Sequence, residues 1–420
     1  MKIWVVKVGE LIPEIDGPVR LSRCAMLCDA ALAAGHSVVR WTSTHGHYDK
    51  DRMIEGAITP YLEIRRLRGP GYTRSRSFAR LRHHRAEALS FSNQACDLDR
   101  PDLIYCCLPT PHLCHVATDY GRSARIPVVI DVRDPWPLSY LSIIPPGFRR
   151  GFNFILVWEY LKIKKTFSSA KGIVAISETF LNWALNLTGR VRGPHDGVFY
   201  IGSMDSWCRN DEQLILVYRE KYWKQLQLHP HEFVIIFAGS LVSAFDFATV
   251  FAALKKLLSL GIKTRLVIAG DGPMKKKLMR STASMNEVVW LGWIQDRREL
   301  RALYSLAHAG IAPYKLGCTM SLPNKPFEYM AANLPLISSL QGEMAEIIDQ
   351  NVIGINYIAN DVNSLVEAVK LLVSDRMLRD RLARNSRQLF ESHFDANRIY
   401  PSMIKHLEHI VCSKSHACNM

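Results

Sequence analysis

The chain has 420 residues, a formal net charge of +14 and 48% hydrophobic residues. Such a length exceeds one ordinary core, so two domains are expected, and the apolar content excludes a disordered chain. No apolar run reaches the roughly 18 residues of a membrane span, MKIWVVKVGE turns polar too soon for a signal peptide, and cysteines without paired spacing fit a reduced cytosolic protein.

Taken in chain order, the first strand-like runs are KIWVVKV, SVVRW, DLIYCCL, IPVVIDV and GIVAIS. Between the first two, LSRCAMLCDAALAAG is helical and stops on Gly35. Continuous apolar strands separated by helices describe a buried parallel sheet. Cys24 and Cys28 stand one helical turn apart, and His112, Cys114 and His115 cluster. The cysteine pair has no second pair nearby to complete a zinc site, and the histidine cluster looks ligand-like but is read as core and capping residues.

Two basic stretches interrupt this half. From Arg65 to Arg85 there are eight arginines and no acid. This is either a solvated loop and helix face or a surface that meets polyanions such as phospholipid headgroups, a lipid diphosphate or nucleic acid. FRRGFNFILVWEYLKIKKTF (Phe148 to Phe167) is too short in its apolar part to span a bilayer. It reads as a core helix with basic ends or as a helix lying on a membrane. Together the two favour an anionic membrane surface. The arginine run lacks the frame of a known nucleic-acid module, so no nucleic-acid partner is expected.

The second half repeats the grammar with FVIIFAG, TRLVIAG, EVVWLGW, AGIAPY and PLISS, separated by helices such as DFATVFAALKKLLSLG. The fold class is therefore α/β, with two doubly wound Rossmann-like domains facing a cleft. Polar residues near Trp207 to Glu212 mark the junction, giving domains over 1–206 and 207–395. The text is helical from about Asp375, and 396–420 is read as a helix returning to the first domain.

In open α/β sheets, ligands sit beyond the carboxyl ends of the strands. After AGIAPY comes KLGCTMSLPN, and a helix is expected from Asn324, with Pro326 in its first turn, Asn333 closing it and Pro335 blocking continuation. Its amino end suits an anion, and Lys325 adds a full charge there, fit for a phosphate or diphosphate. Glu328 is a strong acceptor for sugar hydroxyls. One phosphate-binding end and one ribose-binding end describe a nucleotide, whereas a plain surface helix would carry the same pair as an i,i+3 contact. Gly239 and Ser240 follow the first strand of this half, Gly272 lies in the turn after the second, and Trp290 and Gly292 end the third, where they offer backbone groups to a base edge. Ser321 and Asn324 flank the loop end and join the candidate set. No GxGxxG or Walker loop occurs, so a dinucleotide or an ATP-driven reaction has no support.

The order FAGS, AGDGP, WLGW, PNKPFEYMA and GEMAEII resembles the donor domain of family 4 glycosyltransferases of the GT-B fold. VGE, GHSVVRWTS, GPGYTRS and DVRDPWP in the first half are similar to bacterial transferases of O-antigen and capsule assembly, of the fucosamine-transferase type. The resemblance implies an acceptor-side first domain and a donor-binding second domain. It also implies transfer of a sugar from a nucleotide diphosphate sugar (UDP- or dTDP-linked) with retention, without bound metal, to a lipid-linked or surface-polysaccharide acceptor. A cytoplasmic protein peripheral on the inner membrane face fits that role. Glu328 matches the second glutamate of the family's E-x7-E motif, and Met320 stands where the first would be. The arginine often found after the first strand's glycine is Ser240 here, and Lys325 is placed to take over its charge. Arg133 and Asp134 align with a His–Asp pair facing the reacting sugar, so Asp134 joins Lys325 and Glu328 as a catalytic candidate, with a structural role in the following WP turn as the alternative. Gly17 is a candidate second glycine of the first-strand loop. A non-catalytic scaffold and a nucleotide-sugar epimerase of the same fold are the competing functions.

Overall fold

The apolar runs form two largely parallel sheets whose central strands are buried on both faces. The structure, a computed structural model, describes residues 1–10, 12, 21–45, 56–72, 77–137, 149–204, 212–229, 231–318 and 320–417. Gly17 and most of the junction at Trp207 to Glu212 lie outside the described residues.

The chain divides into two compact units, Met1–Tyr200 with Asn397–Met420, and Ile201–Ala396. The first unit runs β1 (Lys2–Val6), α1 (Arg23–Ala33), β2 (Ser37–Ser43), β3 (Gly56–Thr59), β4 (Leu62–Leu67), α2 (Phe78–Ala95), β5 (Leu103–Leu108), α3 (Pro111–Ala124), β6 (Val128–Val132), α4 (Arg149–Ser169), β7 (Gly172–Ala175), α5 (Glu178–Thr188) and β8 (Gly197–Val198). Its sheet order is β3-β4-β2-β1-β5-β6-β7-β8, parallel except for the β3–β4 pair. Every residue of β5 and of β6 is buried. Trp4, Trp41, Phe91 and Tyr120 form an aromatic cluster beside β1, with Trp4 and Trp41 centroids 5.1 Å apart.

The second unit runs α6 (Glu212–Leu226), β9 (Phe233–Ala238), α7 (Phe247–Ser259), β10 (Thr264–Ala269), α8 (Lys275–Ser281), β11 (Val288–Gly292), α9 (Arg297–Tyr304), β12 (Ala309–Ala312), α10 (Asn324–Ala331), β13 (Leu336–Ser338), α11 (Glu343–Asn351), β14 (Gly354–Asn356), α12 (Val362–Ser374) and α13 (Arg376–Leu389). Its order, β11-β10-β9-β12-β13-β14, is entirely parallel. The chain winds outward from β9 in one direction and, after β11, crosses back to start again at β12. The reversal between β9 and β12 is the point where doubly wound sheets open a crevice.

The last helix, α14 (Ala396–Ala417), buries Tyr400, Met403, Ile404, Leu407 and Ile410 at helical spacing. Nearly all of it clusters with the first unit, as Asn397–Met420. Arg23 reaches this helix from α1. Its fully buried guanidinium makes a bidentate pair with Asp131 (2.9 and 3.1 Å) and donates to the carbonyls of Phe199 and Tyr200. It also lies 6.0 Å from the Tyr400 ring centroid. Glu408 adds a 2.9 Å contact to His36.

The cysteines and histidines singled out in the sequence take core roles. Cys24 and Cys28 are buried on α1, and Cys24 faces Cys107, Sγ to Sγ 3.4 Å. His115 contacts Thr166 and Asp119. Burial and the nearby Lys162 charge push His112 down to about 4, so its ring is neutral near pH 7.

Candidate functional site

The helix expected from Asn324 spans Asn324–Ala331, and Asn333 follows with φ +59°. Its cap residue is Pro323, which contributes no side-chain hydrogen bond. By contrast, Asp246 caps α7 and Asp296 caps α9 through their carboxylates. An amino end without such a cap leaves its donors for another acceptor, and a partial positive charge is concentrated there.

Two aromatic rings hold Lys325 in place. Its ammonium lies 4.7 Å from the Phe237 ring centroid and 4.8 Å from that of Phe245, a geometry that holds a cation through the ring quadrupoles. Phe237 belongs to β9, and the chain leaves that strand through Gly239 at φ +130°. A Cβ on Gly239 would overlap Lys325 Nζ and lie 3.2 Å from Cε. The bare glycine thus makes the space that the ammonium occupies. The cation therefore stands at the carboxyl end of β9, on one side of the switch point.

Tyr329 spans that point. β9 and β12 pair only at Ala309–Ile235 and Gly310–Ile236. Beyond that register the Tyr329 hydroxyl accepts from the Ala238 N–H and donates to the Ile311 carbonyl, both at 3.2 Å. Burial pushes this hydroxyl well above its ordinary range, so it stays a donor. One helical side chain closes the gap where the two strands part. It anchors α10 over the switch point.

Glu328 accepts from the Tyr304 hydroxyl at 3.2 Å, so α9 orients the carboxylate proposed for the ribose. Ser321 is nearly buried and donates to Glu343 Oε2 at 3.2 Å. The Asn324 Oδ1 atom is buried and has no hydrogen-bond partner among the described residues.

The neighbouring loops divide between site and scaffold. Gly272 has φ +150°, and a Cβ there would lie 2.6 Å from the Leu241 carbonyl oxygen. Its smallness lets the 271–274 turn dock on the 239–241 loop, through Leu241 N–H to the Asp271 carbonyl (2.7 Å) and Met274 N–H to the Leu241 carbonyl (3.0 Å). Gly272 thus shapes the loop that carries Gly239 and Ser240. The Trp290 indole donates to Thr282 at 3.1 Å, while the β10–β11 register shifts just before Gly292.

Asp134 belongs to the first unit, at the end of β6, where its carbonyl accepts from the Trp136 N–H at 2.8 Å. Beside it, Arg133 is paired with Glu10, which also accepts from Ser22 at 2.5 Å and lies 3.7 Å from Arg40. Burial alone would raise the Glu10 carboxyl. The charges of Arg133, Lys7 and Arg40 outweigh it and hold the group well below the usual carboxylate range.

Sequence reasoning passed over Phe237, Phe245, Tyr304, Tyr329 and Glu343. Nothing local marks them, since aromatic residues at strand ends and in helices read as core. Their roles come from which strands are neighbours.

With that geometry in view, the chain compares with known proteins as follows. Solved structures define the fold as GT-B. Anabaena HepE in complex with UDP and glucose is 15% identical, with TM-score 0.66, covering 97% of this chain and 100% of that one. Sucrose-phosphate synthase from Thermosynechococcus elongatus is 16% identical, with TM-score 0.70, covering 98% and 99%. Residues 219–389 match the family model for Glycosyl transferases group 1. A GDP-mannose-dependent alpha-(1-6)-phosphatidylinositol dimannoside mannosyltransferase of Mycobacterium tuberculosis is 29% identical over 141 residues, 33% of this chain and 35% of that protein. The match to such curated relatives spans about a third of their length.

Proposed function

We propose that the protein is a glycosyltransferase that binds a nucleotide diphosphate sugar, UDP- or dTDP-linked, in its second unit. The observation that carries this reading is the Lys325 ammonium, seated on Phe237 and Phe245 beside Gly239 at the switch point. The uncapped amino end of α10 lies at the same place. A diphosphate there meets a full charge and aligned N–H donors, and both act hardest as charge builds on the leaving phosphate oxygens. In this reading Lys325, the α10 amino end and the Gly239–Ser240 backbone neutralise the diphosphate without a metal. Glu328, steadied by Tyr304, accepts the ribose hydroxyls. Retention, an amino-hexose donor and a role for Asp134 toward sugar or acceptor rest on the family resemblance.

Lys325→Ala tests the reading. It should lower transfer more than roughly tenfold, equivalent to about 1.4 kcal/mol of transition-state stabilisation, while the protein stays folded. An unchanged rate would remove the proposed role. Offering a panel of nucleotide sugars with isolated lipid-linked saccharides, and reading products by mass, identifies donor and acceptor.

The acceptor side of the proposal is a lipid-linked saccharide reached from an anionic membrane surface. Among the described residues no helix is long and apolar enough to cross a membrane. The outward face of α4 nevertheless carries Trp158 at 75% exposure and Leu161 at 53%, with Lys164 and Lys165 exposed one turn further on. Apolar residues on the solvent side of a helix, followed by lysines, suit the interface of an anionic bilayer. Flotation with anionic liposomes should carry the protein at low salt, and Trp158→Glu should reduce it. Absence of binding at low salt would refute the membrane part alone. A non-catalytic scaffold is the second reading, favoured by Met320 in place of the motif's first glutamate. It would show neither transfer nor hydrolysis of any nucleotide sugar.

A further inference from the structure

We propose that Arg85 and Lys162, gathered around His112 in the first unit, bind the phosphate group of an anionic membrane lipid. This rests on the membrane reading of the acceptor side and names what that surface holds. The two cations come from the two basic stretches that stand apart in the sequence, the arginine run that ends at Arg85 and the stretch that ends at Phe167. Arg85 belongs to α2, His112 to the first turn of α3 and Lys162 to α4, and α3 packs against both of the other helices. Arg85 Nε donates to His112 Nε2 at 3.3 Å, and Lys162 Nζ lies 3.4 Å from the same nitrogen. The fold thus brings one charge from each stretch to a single point.

Guanidinium and ammonium groups only donate, so the lone pair of His112 Nε2 faces both cations and the ring carries its proton on Nδ1. That lone pair has room for one good donor, and the two cations keep most of their donors for another acceptor. Arg85 has no further hydrogen-bond or ion-pair partner among the described residues, so its two Nη groups present a planar fork, the geometry that matches two phosphate oxygens. Lys162 also lies 3.5 Å from Glu159 Oε1 on its own helix, and that carboxylate offsets one of the two charges. One positive charge remains. With both donors within 3.4 Å of one nitrogen, a single phosphate can bridge them. The surroundings fit a lipid better than a soluble anion. Leu89 is 65% exposed one helical turn beyond Arg85, and the exposed Trp158 stands one turn before Lys162. Each cation therefore has an apolar side chain beside it on the solvent side of its own helix. A soluble phosphate makes no use of those side chains, whereas a lipid headgroup brings the acyl boundary next to them.

The test is flotation of the full-length protein with phosphatidylcholine vesicles that carry either phosphatidic acid or oleate, matched in surface charge. Wild type should bind the phosphatidic acid vesicles about fivefold or more tightly than the oleate vesicles, since a phosphate engages the fork and the ammonium together. Arg85→Gln and Lys162→Gln should each remove most of that preference. Lys165→Gln should weaken binding to both vesicles alike and leave the ratio unchanged, as a charge that only faces the surface does. Arg85→Lys should keep binding to oleate vesicles and lose most of the preference, because an ammonium lacks the fork. Inorganic phosphate at about 10 mM, added at constant ionic strength, should leave phosphatidic acid binding unchanged. Displacement by it would assign the site to a soluble phosphate and overturn the lipid as its ligand. A wild-type ratio near one, or Arg85 and Lys162 variants that weaken both vesicles equally, would overturn the phosphate site while the membrane reading stands. Absence of wild-type binding to either vesicle at low salt would overturn the membrane reading first, and this proposal with it.

Discussion

Gly239→Ala is the most direct probe of how the second unit positions its cation. The new methyl would overlap the ammonium of Lys325, so Nζ must withdraw by about 1 Å to reach an ordinary contact distance of about 3.5 Å. Because the displaced atom is the end of a flexible side chain, the steric cost to the fold is small. The backbone contributes more, since φ +130° disfavours any side chain, by about 1–2 kcal/mol. For binding, a unit charge moved from about 3 to about 4 Å from a phosphate oxygen loses about 1.4 kcal/mol at an effective dielectric of about 20. UDP affinity should therefore fall about tenfold, while the denaturation midpoint drops only modestly. Lys325→Ala added to Gly239→Ala should cost far less than it does alone, because the two changes act on one charge. Calorimetric titration of UDP against the four proteins measures this cycle. Full additivity, or a folded Gly239→Ala protein with unchanged UDP affinity, would refute the argument that this glycine exists to seat the ammonium.

Glu328→Gln should weaken UDP binding with little change in stability, and Tyr304→Phe should do so to a smaller degree, because it frees the carboxylate to turn. Equal calorimetric affinities would remove the ribose contact. Arg23→Met should destabilise by about 3–5 kcal/mol in chemical denaturation, since it leaves Asp131 buried and charged without its partner. The double change Arg23→Met with Asp131→Leu should recover much of that loss, and a single change costing under about 1 kcal/mol would contradict the role given to this pair. Burial alone would raise the Glu87 carboxyl, but the imidazoles of His83 (Nε2 3.0 Å from Oε1) and His84 (Nδ1 2.8 Å from Oε2) outweigh it and hold the group at about 2 instead of 4.5. A depressed carboxylate stabilises the fold above its unfolded value, and that contribution disappears as pH falls from about 4.5 through about 2. The stability gap between wild type and Glu87→Gln, about 3 kcal/mol at neutral pH, should close across that window. A gap independent of pH would show that the histidines do not hold the charge.

Two doubly wound α/β units, the helix at Asn324 and the closing role of Asn333 were all legible in the text. Each depends on local properties: apolar runs long enough to be buried on both faces, and residues whose backbone preferences start or stop a helix. Lys325 and Glu328 were legible for the same reason, because a charge at a helix amino end has a chemical meaning before any packing is known. The β3–β4 hairpin and the two-residue β8 left no comparable pattern, being too short or too polar to stand out. Tertiary structure alone decided what surrounds the cation. Phe237 and Phe245 come to Lys325 from 88 and 80 residues away, and Tyr329 bridges β9 to β12 only because the sheet reverses between them. Glu343 reaches Ser321 because β12 and β13 are neighbours. Residue type along one segment determined the elements and their caps, since those energies are local. The choice of which strand ends share an edge is made by the burial of whole faces, and no stretch of sequence records it by itself.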